Sequence, residues 1–498
     1  MHGLWQLTRL TLTTDIRRLG SHAVRFGLAI VLYAAVVYAS LYSTRNAAGL
    51  PLFQSQLLIT AFFLSATAIF GFSQTITEEK EEETLGLIRL ADISPLAIIL
   101  GKTMGILVEA ALLLIIQVPF TIVAITLGGV AWSQVTAAYV ALGAYLWLLG
   151  TVGIAASVLE PTGGRAARWT AIIVGAYLLP PMISWMNVFG LTGLLRGFAA
   201  ISLPMRLLEI TESDFRDGPW SSAVWFGIIT GLIVLIVAWL LFDRASTSEL
   251  HDRQPKILGF KNRRARRPWS RPIVWREYEF LTGGVPWTIA RVGIQVAIFV
   301  LVSYSFFWVR LIPRSLGFTL AWSAIASGVV GLLDGTWFAS RLFQDEIRHR
   351  TWSSLVQTPY SLPRLALDKT LGWALGLAPT ILSPFLFIIA MIIFHEHMPR
   401  DAGNILEVII GTATIGMSVF GYLHLLVLTS LYFGWKGTPM TLTICFAAGW
   451  IYVVAVFTSR LDGFSRCALF VGTSLAIVGL MIVFQLMILK RLERLAAG

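Results

Sequence analysis

Charge is scarce in this sequence: Asp, Glu, Lys and Arg make up 13% of its 498 residues, while 56% are hydrophobic. A soluble globular domain carries about twice that share of charge. A water-soluble fold is therefore excluded, and lipid is the solvent expected for the surplus apolar surface. Cysteine is scarcer still. Cys445 and Cys467 lie in or beside different apolar runs with no ligand spacing around them, which excludes a disulfide framework and a cysteine zinc site. Alternation of polar and apolar residues over segments of about ten is also missing, and that excludes a transmembrane barrel. The chain has no Gly-x-x-x-x-Gly-Lys-[Ser/Thr] loop, so no phosphate cradle for ATP is expected in it. No cluster of His, Asp and Glu, Ser-His pair or Cys nucleophile recurs at membrane depth, so no catalytic residue and no metal site are expected. His395-Glu396-His397 are two alternate histidines in an expected outer loop, a weak metal pattern.

What the chain has instead is a series of continuous apolar runs, each near the roughly 20 residues that a helix needs to cross a bilayer. Spans are expected near 24–42, 52–76, 98–127, 132–159, 169–187, 222–242, 291–309, 317–341, 370–394, 405–433, 440–457 and 467–489. The fold class is thus an all-α integral membrane protein of about 12 spans. An amphipathic segment with Arg9, Arg17 and Arg18 precedes the first run, with no small-residue cleavage site after it, so that span is expected to be retained. With the N-terminus inside, about 29 of the 38 Lys and Arg fall in cytoplasmic segments and about nine in outer loops. Positive charge favours the cytoplasmic side, so both termini are expected there, and the net charge of +11 needs no other cause. The densest charge run, Lys261-Asn262-Arg263-Arg264-Ala265-Arg266-Arg267, lies in a polar linker. It suits anionic lipid headgroups or simple topological anchoring; without an aromatic platform or recognition fold beside it, nucleic acid is not expected.

The linker divides the chain into halves 1–243 and 275–498, with 244–274 between them, and the halves repeat. Glu79 to Gly105 aligns without a gap on Glu346 to Gly372, an offset of 267 positions. Identical pairs include Glu79/Glu346, Thr84/Thr351, Ser94/Ser361, Lys102/Lys369, Thr103/Thr370 and Gly105/Gly372. Ahead of each half's first span stands a short Trp- and charge-bearing segment, Trp5 with Asp15-Ile16-Arg17-Arg18 and Trp275-Arg276-Glu277, suited to an elbow helix in the membrane interface. After each second span comes a charged insert. In the first, Glu residues 78, 79, 81, 82 and 83 precede Thr84-Leu85-Gly86-Leu87-Ile88-Arg89. Acid at a helix start meets the positive end of the macrodipole, and Leu85 with Ile88 forms an apolar stripe suited to docking on another protein. The second insert, Asp345 to Trp352, has the same plan with altered charge.

Within the spans, Glu109, Asp334 and His424 are the ionisable candidates. Glu109 stands two turns beyond Lys102, and Asp334 likewise before Arg341, so each pair fits one helix face, and a structural pairing or a snorkelling role near the inner surface is expected ahead of substrate binding. His424 is expected to be a hydrogen-bonded core residue. Pro119 and Pro384 interrupt the long third span of each half, where a kink near a central pathway and a packing irregularity are equally expected. The outer segment 188–220, with Arg196, Arg206, Asp214 and Asp217, suits short surface or re-entrant helices.

These inserts resemble the loop after the second span of ABC-2 type permeases, the membrane subunits of ATP-binding cassette transporters. That loop reads as charged residues, then Gly-Thr-Leu, an aliphatic run, Thr-Pro-Val-Ser and a Leu-Gly-Lys entering the third span. Thr84-Leu85, Leu87-Ile88, Ser94 and Leu100-Gly101-Lys102 match it in the first half, and Thr351, Leu355, Thr358-Pro359, Ser361 and Lys369 in the second. Glu83 and Arg350 stand where the family has Gly, and Asp92 where it has Pro. The resemblance implies that each insert is a coupling helix seated on a separate cytoplasmic ABC ATPase, in two copies, which holds the ATP and Mg. Glu79, Glu82, Glu83, Thr84, Leu85, Arg89, Glu346, Arg350, Thr351 and Trp352 would make that contact, in a bacterial inner (plasma) membrane. Two other functions fit twelve spans: a major-facilitator-like secondary transporter, whose loop after the second span is usually short and basic, and an ABC-2-like scaffold that does not transport.

Overall fold

The computed structural model describes residues 19–42, 49–91, 93–184, 197–198, 200–248, 269–308, 316–348, 351–394, 402–433 and 463–497, with isolated positions between 438 and 449. All regular structure among them is helical. In chain order the helices are α1 (Leu19–Tyr42), α2 (Gly49–Phe70), α3 (Thr77–Glu81), α4 (Leu85–Leu90), α5 (Pro95–Thr126), α6 (Trp132–Leu159), α7 (Gly163–Ser184), α8 (Leu203–Ile210) and α9 (Ser222–Ser248). They continue with α10 (Pro272–Arg276), α11 (Gly284–Trp308), α12 (Leu316–Ala339), α13 (Gln344–Arg348), α14 (Trp352–Val356), α15 (Leu362–Phe394), α16 (Ala402–Phe433) and α17 (Gly463–Ala497).

Among the described residues, 8 helical segments are long and apolar enough to cross a membrane: Gly49–Glu81, Pro95–Thr126, Trp132–Leu159, Ser222–Arg244, Gly284–Ser303, Leu362–Ile393, Ile409–Tyr432 and Cys467–Ala496. The expected spans 24–42, 169–187 and 317–341 coincide largely with α1, α7 and α12, of which only Val24–Val37 within α1 is counted as a shorter apolar helix. Most of 440–457 lies outside the described residues, as do Trp5, residues 15–18 and the basic run of the linker. Large apolar side chains such as Ile229, Leu240, Ile389 and Leu475 point away from their own bundles, as lipid-facing residues do. Pro119 lies inside α5, and Pro379 and Pro384 lie inside α15; both helices continue through them.

The described helices group into two compact units, α1–α9 and α10–α17. In the first, α6 is the central helix. It packs along α9, where the Trp147 indole donates to the Ile228 carbonyl at 3.1 Å, and against α2, where Tyr145 and Ser65 share a 2.7 Å hydrogen bond. Gln134 clamps α8 by donating to the Ile210 and Glu212 carbonyls at 2.8 and 3.0 Å. In the second unit α12 packs along α15 and α16 along α17. Ser327 bridges Gln295 of α11 and Ser383 of α15 at 2.6 and 2.5 Å. Such polar bonds join membrane helices that no hydrophobic effect drives together.

The segment expected as the elbow of the second half is a short helix. Pro272–Arg276 runs into a π-turn at Glu277–Leu281, closed by Thr282 N–H to Glu277 C=O at 3.1 Å. Ile273, Val274, Glu277 and Tyr278 are buried against the rest of the unit, while Phe280 is exposed. The reason is α15: a Cβ at Gly372 would sit 2.5 Å from the Val274 carbonyl, so the glycine admits the segment to direct backbone contact.

Close approach also governs the first unit. A Cβ at Gly153 would lie 2.8 Å from Phe72 Cβ and 2.9 Å from the Ala68 carbonyl, whereas at Gly150 it would meet the Phe72 ring at 3.4 Å. Gly153→Val is expected to destabilise by about 1–3 kcal/mol through overpacking of α6 on α2. Gly150→Ala should stay within about 1 kcal/mol of wild type on the same ground. Thermal unfolding in detergent compares them, and equal midpoints would refute the packing account.

Candidate functional site

The first insert is built backbone first. Ser157, at the end of α6, accepts hydrogen bonds from the Ile76 and Thr77 amides at 2.7 and 3.1 Å, filling donors that a helix start leaves open. At the other end of α3, Glu83 adopts φ 58°. Thr84 N–H then reaches Glu79 C=O at 2.9 Å and Glu83 N–H reaches Lys80 C=O at 3.3 Å. This pair of bonds closes a helix whose following residue is left-handed, a place that glycine fills without strain. The turn brings the Thr84 hydroxyl onto one carboxylate oxygen of Glu79, while the Lys102 ammonium of α5 takes the other. One carboxylate thus joins the insert, its turn and the third long helix.

The second insert repeats the arrangement. Thr351 N–H donates to Glu346 C=O at 2.9 Å, and the Thr351 hydroxyl donates to the Glu346 carboxylate. The other oxygen of that carboxylate accepts from Lys369 of α15 at 3.3 Å. Glu79, Thr84 and Lys102 thus make the same set of bonds as Glu346, Thr351 and Lys369, the residues that match them 267 positions on. Arg350, at the position of left-handed Glu83, lies outside the described residues, as does Asp92.

Around Glu346 the cluster is larger and drier. Arg276 also pairs with Glu346, and Lys369 donates to Glu277 at 2.7 Å; the Lys369 and Glu277 side chains are 2% and 4% exposed. Two carboxylates face two cations. Burial pushes the Glu346 carboxyl upward, but the Thr351 hydroxyl and the charges of Lys369 and Arg276 outweigh it and hold the group below its ordinary value. Nearby, Asp368 is buried with Arg271 Nη1 3.7 Å away.

The acidic run of the first insert divides by task. Lys80 donates to the Val158 and Glu160 carbonyls at 2.6 and 3.0 Å, satisfying the end of α6. Glu81 accepts from the Gly163 amide at 2.8 Å at the start of α7, where the macrodipole favours a negative charge. Glu82 and Glu83 are exposed, and Arg89 is half-buried with an ion pair to Asp243 of α9 at 2.9 Å.

Several expected contact residues are therefore turned inward. The left-handed turn directs Leu85 and Ile88 into the unit's core, so the apolar stripe on the surface is Leu87 and Leu90, 66% and 84% exposed. Trp352 is buried because its ring packs edge-on against Phe343 at 5.9 Å. The second insert exposes Ser353, Ser354 and Gln357 instead. Gly101 is buried in α5 beside Lys102.

The pairing expected along helix faces is also corrected. Lys102 pairs with Glu79, and Glu109 is half-buried in α5. Asp334 accepts from Arg291 Nε at 2.7 Å, because α12 ends at Ala339 and Arg341 lies past its end, stacked 3.9 Å above Trp337. Arg291, which the sequence presented only as the edge of a span, is buried and also donates to the Thr282 and Gly376 carbonyls. His424 Nδ1 lies 2.9 Å from the Phe420 carbonyl of its own helix. Between α7 and α9, buried Arg206 pairs with Asp217 at 2.9 Å and Glu209 at 3.2 Å.

No protein-family model matches the chain, and no curated protein matches it.

Glu83→Gly is expected to raise stability by up to about 1 kcal/mol, relieving the left-handed backbone; a lowered unfolding midpoint would refute this. Lys369→Met should cost about 3–5 kcal/mol by stranding buried carboxylates, and Lys102→Met less, its ion pair being wetter. Because the Glu346 value is lowered on folding, its contribution is complete above the ordinary 4.5 and is lost as pH falls through the lowered value. Glu346→Gln should therefore flatten the acid limb of the stability profile, and an unchanged limb would rule out Glu346 as its source.

Proposed function

We propose that the chain is the membrane permease component of an ABC-2 type transporter. It moves a substrate, with export favoured, using ATP hydrolysed with Mg on a separate cytoplasmic ATPase, two copies of which serve one chain. The chain itself catalyses nothing. The topology this reading requires is twelve spans in two six-span halves, 1–243 and 275–498, with linker 244–274 and both termini in the cytoplasm. Its setting is a bacterial inner membrane, with anionic headgroups near the basic linker.

The observation that carries the reading is the recurrence of the Glu–Thr–Lys latch in both units. Each latch ties a short surface insert to a long apolar helix through a charge pair. A push on the insert therefore reaches the membrane-crossing segment, and a two-state coupling element needs such a connection. The sequence around each latch is the part that resembles the ABC-2 loop, and the glycine of that pattern corresponds to left-handed Glu83. The exposed face of the first insert, with Glu82, Glu83, Leu87 and Leu90, suits a partner cleft with basic groups and an apolar floor.

Purification of the tagged chain in gentle detergent is expected to bring down an ATPase whose hydrolysis rate changes with the permease present. Combined Glu82→Lys and Glu83→Lys should release that ATPase by at least tenfold while the permease stays in the membrane. Glu79→Gln should leave the ATPase bound but weaken its response. Undiminished co-purification of the double variant would remove the docking face. Absence of any ATPase, with uptake driven by an ion gradient in vesicles, would favour the secondary transporter.

A further inference from the structure

Helix α7 has two unlike faces. Ala166, Ala167, Thr170 and Val174 are buried, and the helix packs on α6 and α2. Arg165, Arg168, Trp169, Ile172 and Ile173 are exposed. Steps of three and four residues place these five on one stripe of the helix, turned away from the packed face.

The stripe begins at the insert end of the first unit. Glu81 of α3 accepts from the Gly163 amide at 2.8 Å, and Lys80 donates to the Glu160 carbonyl at 3.0 Å, so the start of α7 lies beside the insert. From that end the stripe reads as two guanidiniums, then an indole, then two isoleucines. A phospholipid has the same order, a charged headgroup followed by an ester level, where indoles gather, and then hydrocarbon.

Charge narrows the ligand further. Arg168 has lost part of its hydration, and Arg165 opposes its charge more strongly than Glu160 matches it. The other acid at this end, Glu81, is turned to the Gly163 amide. Positive charge is thus in excess on the stripe, and an anion between the two guanidiniums relieves it. Side chains one turn apart stand about 5–6 Å from each other at Cβ, so one phosphate can accept from both, and the planar guanidinium fork matches phosphate oxygens. A zwitterionic headgroup brings a cation of its own to a place that already has too many. Inorganic phosphate makes no use of Trp169, Ile172 and Ile173.

We infer that the exposed stripe of α7 seats one anionic phospholipid, with its phosphate between Arg165 and Arg168, its ester level at Trp169 and an acyl chain along Ile172 and Ile173. This seat is separate from the basic run of the linker. It does not depend on the transporter reading, and a failure to find an ATPase leaves it standing.

The test uses the full chain in lipid nanodiscs with two photoreactive probes of equal chain length, a phosphatidylglycerol and a phosphatidylcholine, each reactive on one acyl chain. The expected result in the wild type is labelling of peptides containing Ile172 and Ile173 by the phosphatidylglycerol probe, several-fold above the phosphatidylcholine probe. Labelling of α17 around exposed Leu475 serves as the reference for a folded chain in bulk lipid. Arg165→Gln and Arg168→Gln should each lower the phosphatidylglycerol labelling of α7 about fivefold, the worth of one basic residue near an anionic surface, with α17 labelling unchanged. Peptides from the linker are scored apart, so lipid held by its basic run does not enter the comparison. Equal labelling of α7 by both probes, or phosphatidylglycerol labelling of α7 unchanged in either variant, would overturn the assignment.

Discussion

A carboxylate that leaves water must have its oxygens filled, and this requirement organises both inserts. Glu79 and Glu346 each accept a threonine hydroxyl on one side and a lysine ammonium on the other. The threonine is local, five residues on, and fixes the helix ending. The lysine is distant, 23 residues on in both units, and fixes where the third long helix passes. Neither bond alone would hold a five-residue helix, which has no stability of its own in solution. Tertiary contacts hold these turns, and the carboxylate is the junction through which they act.

The two junctions differ in wetness. Glu79 and Lys102 are both partly exposed, whereas Lys369 and Glu277 are almost fully enclosed, with Arg276 completing a neutral set. Enclosure strengthens each attraction but charges a desolvation penalty, so the gain is specificity of geometry more than net stability. The surfaces differ as well. One insert presents acid and leucine to its surroundings and the other serine and glutamine. A shared backbone device therefore supports two chemically unlike faces.

Much of this was legible beforehand. The long helices follow from apolar runs of membrane length, and the matched positions Glu79/Glu346, Thr84/Thr351 and Lys102/Lys369 are those that form the repeated bonds. Their partners were harder to read. Helix periodicity offered Glu109 to Lys102 and Arg341 to Asp334, but it describes only residues on one continuous helix. The actual partners, Glu79 and Arg291, come from other elements. The equal spacing of Glu and Lys in the two halves was the available signal for the first. For Arg291 no pattern in the chain points to Asp334. The inward turn of Leu85 and Ile88 depends on a single left-handed residue, and glutamate is not the residue type that announces one.

The acidic run of the first insert also sets its mechanics. Glu79 holds α5, Lys80 holds the end of α6, and Glu81 holds the start of α7. Three consecutive residues thus mount one short helix on three long ones. A part with a single attachment swings, and a part with two rocks about the line between them. With three attachments that are not in line it has no free axis, so a load applied at Leu87 and Leu90 is divided among three helices instead of being absorbed as motion of the insert.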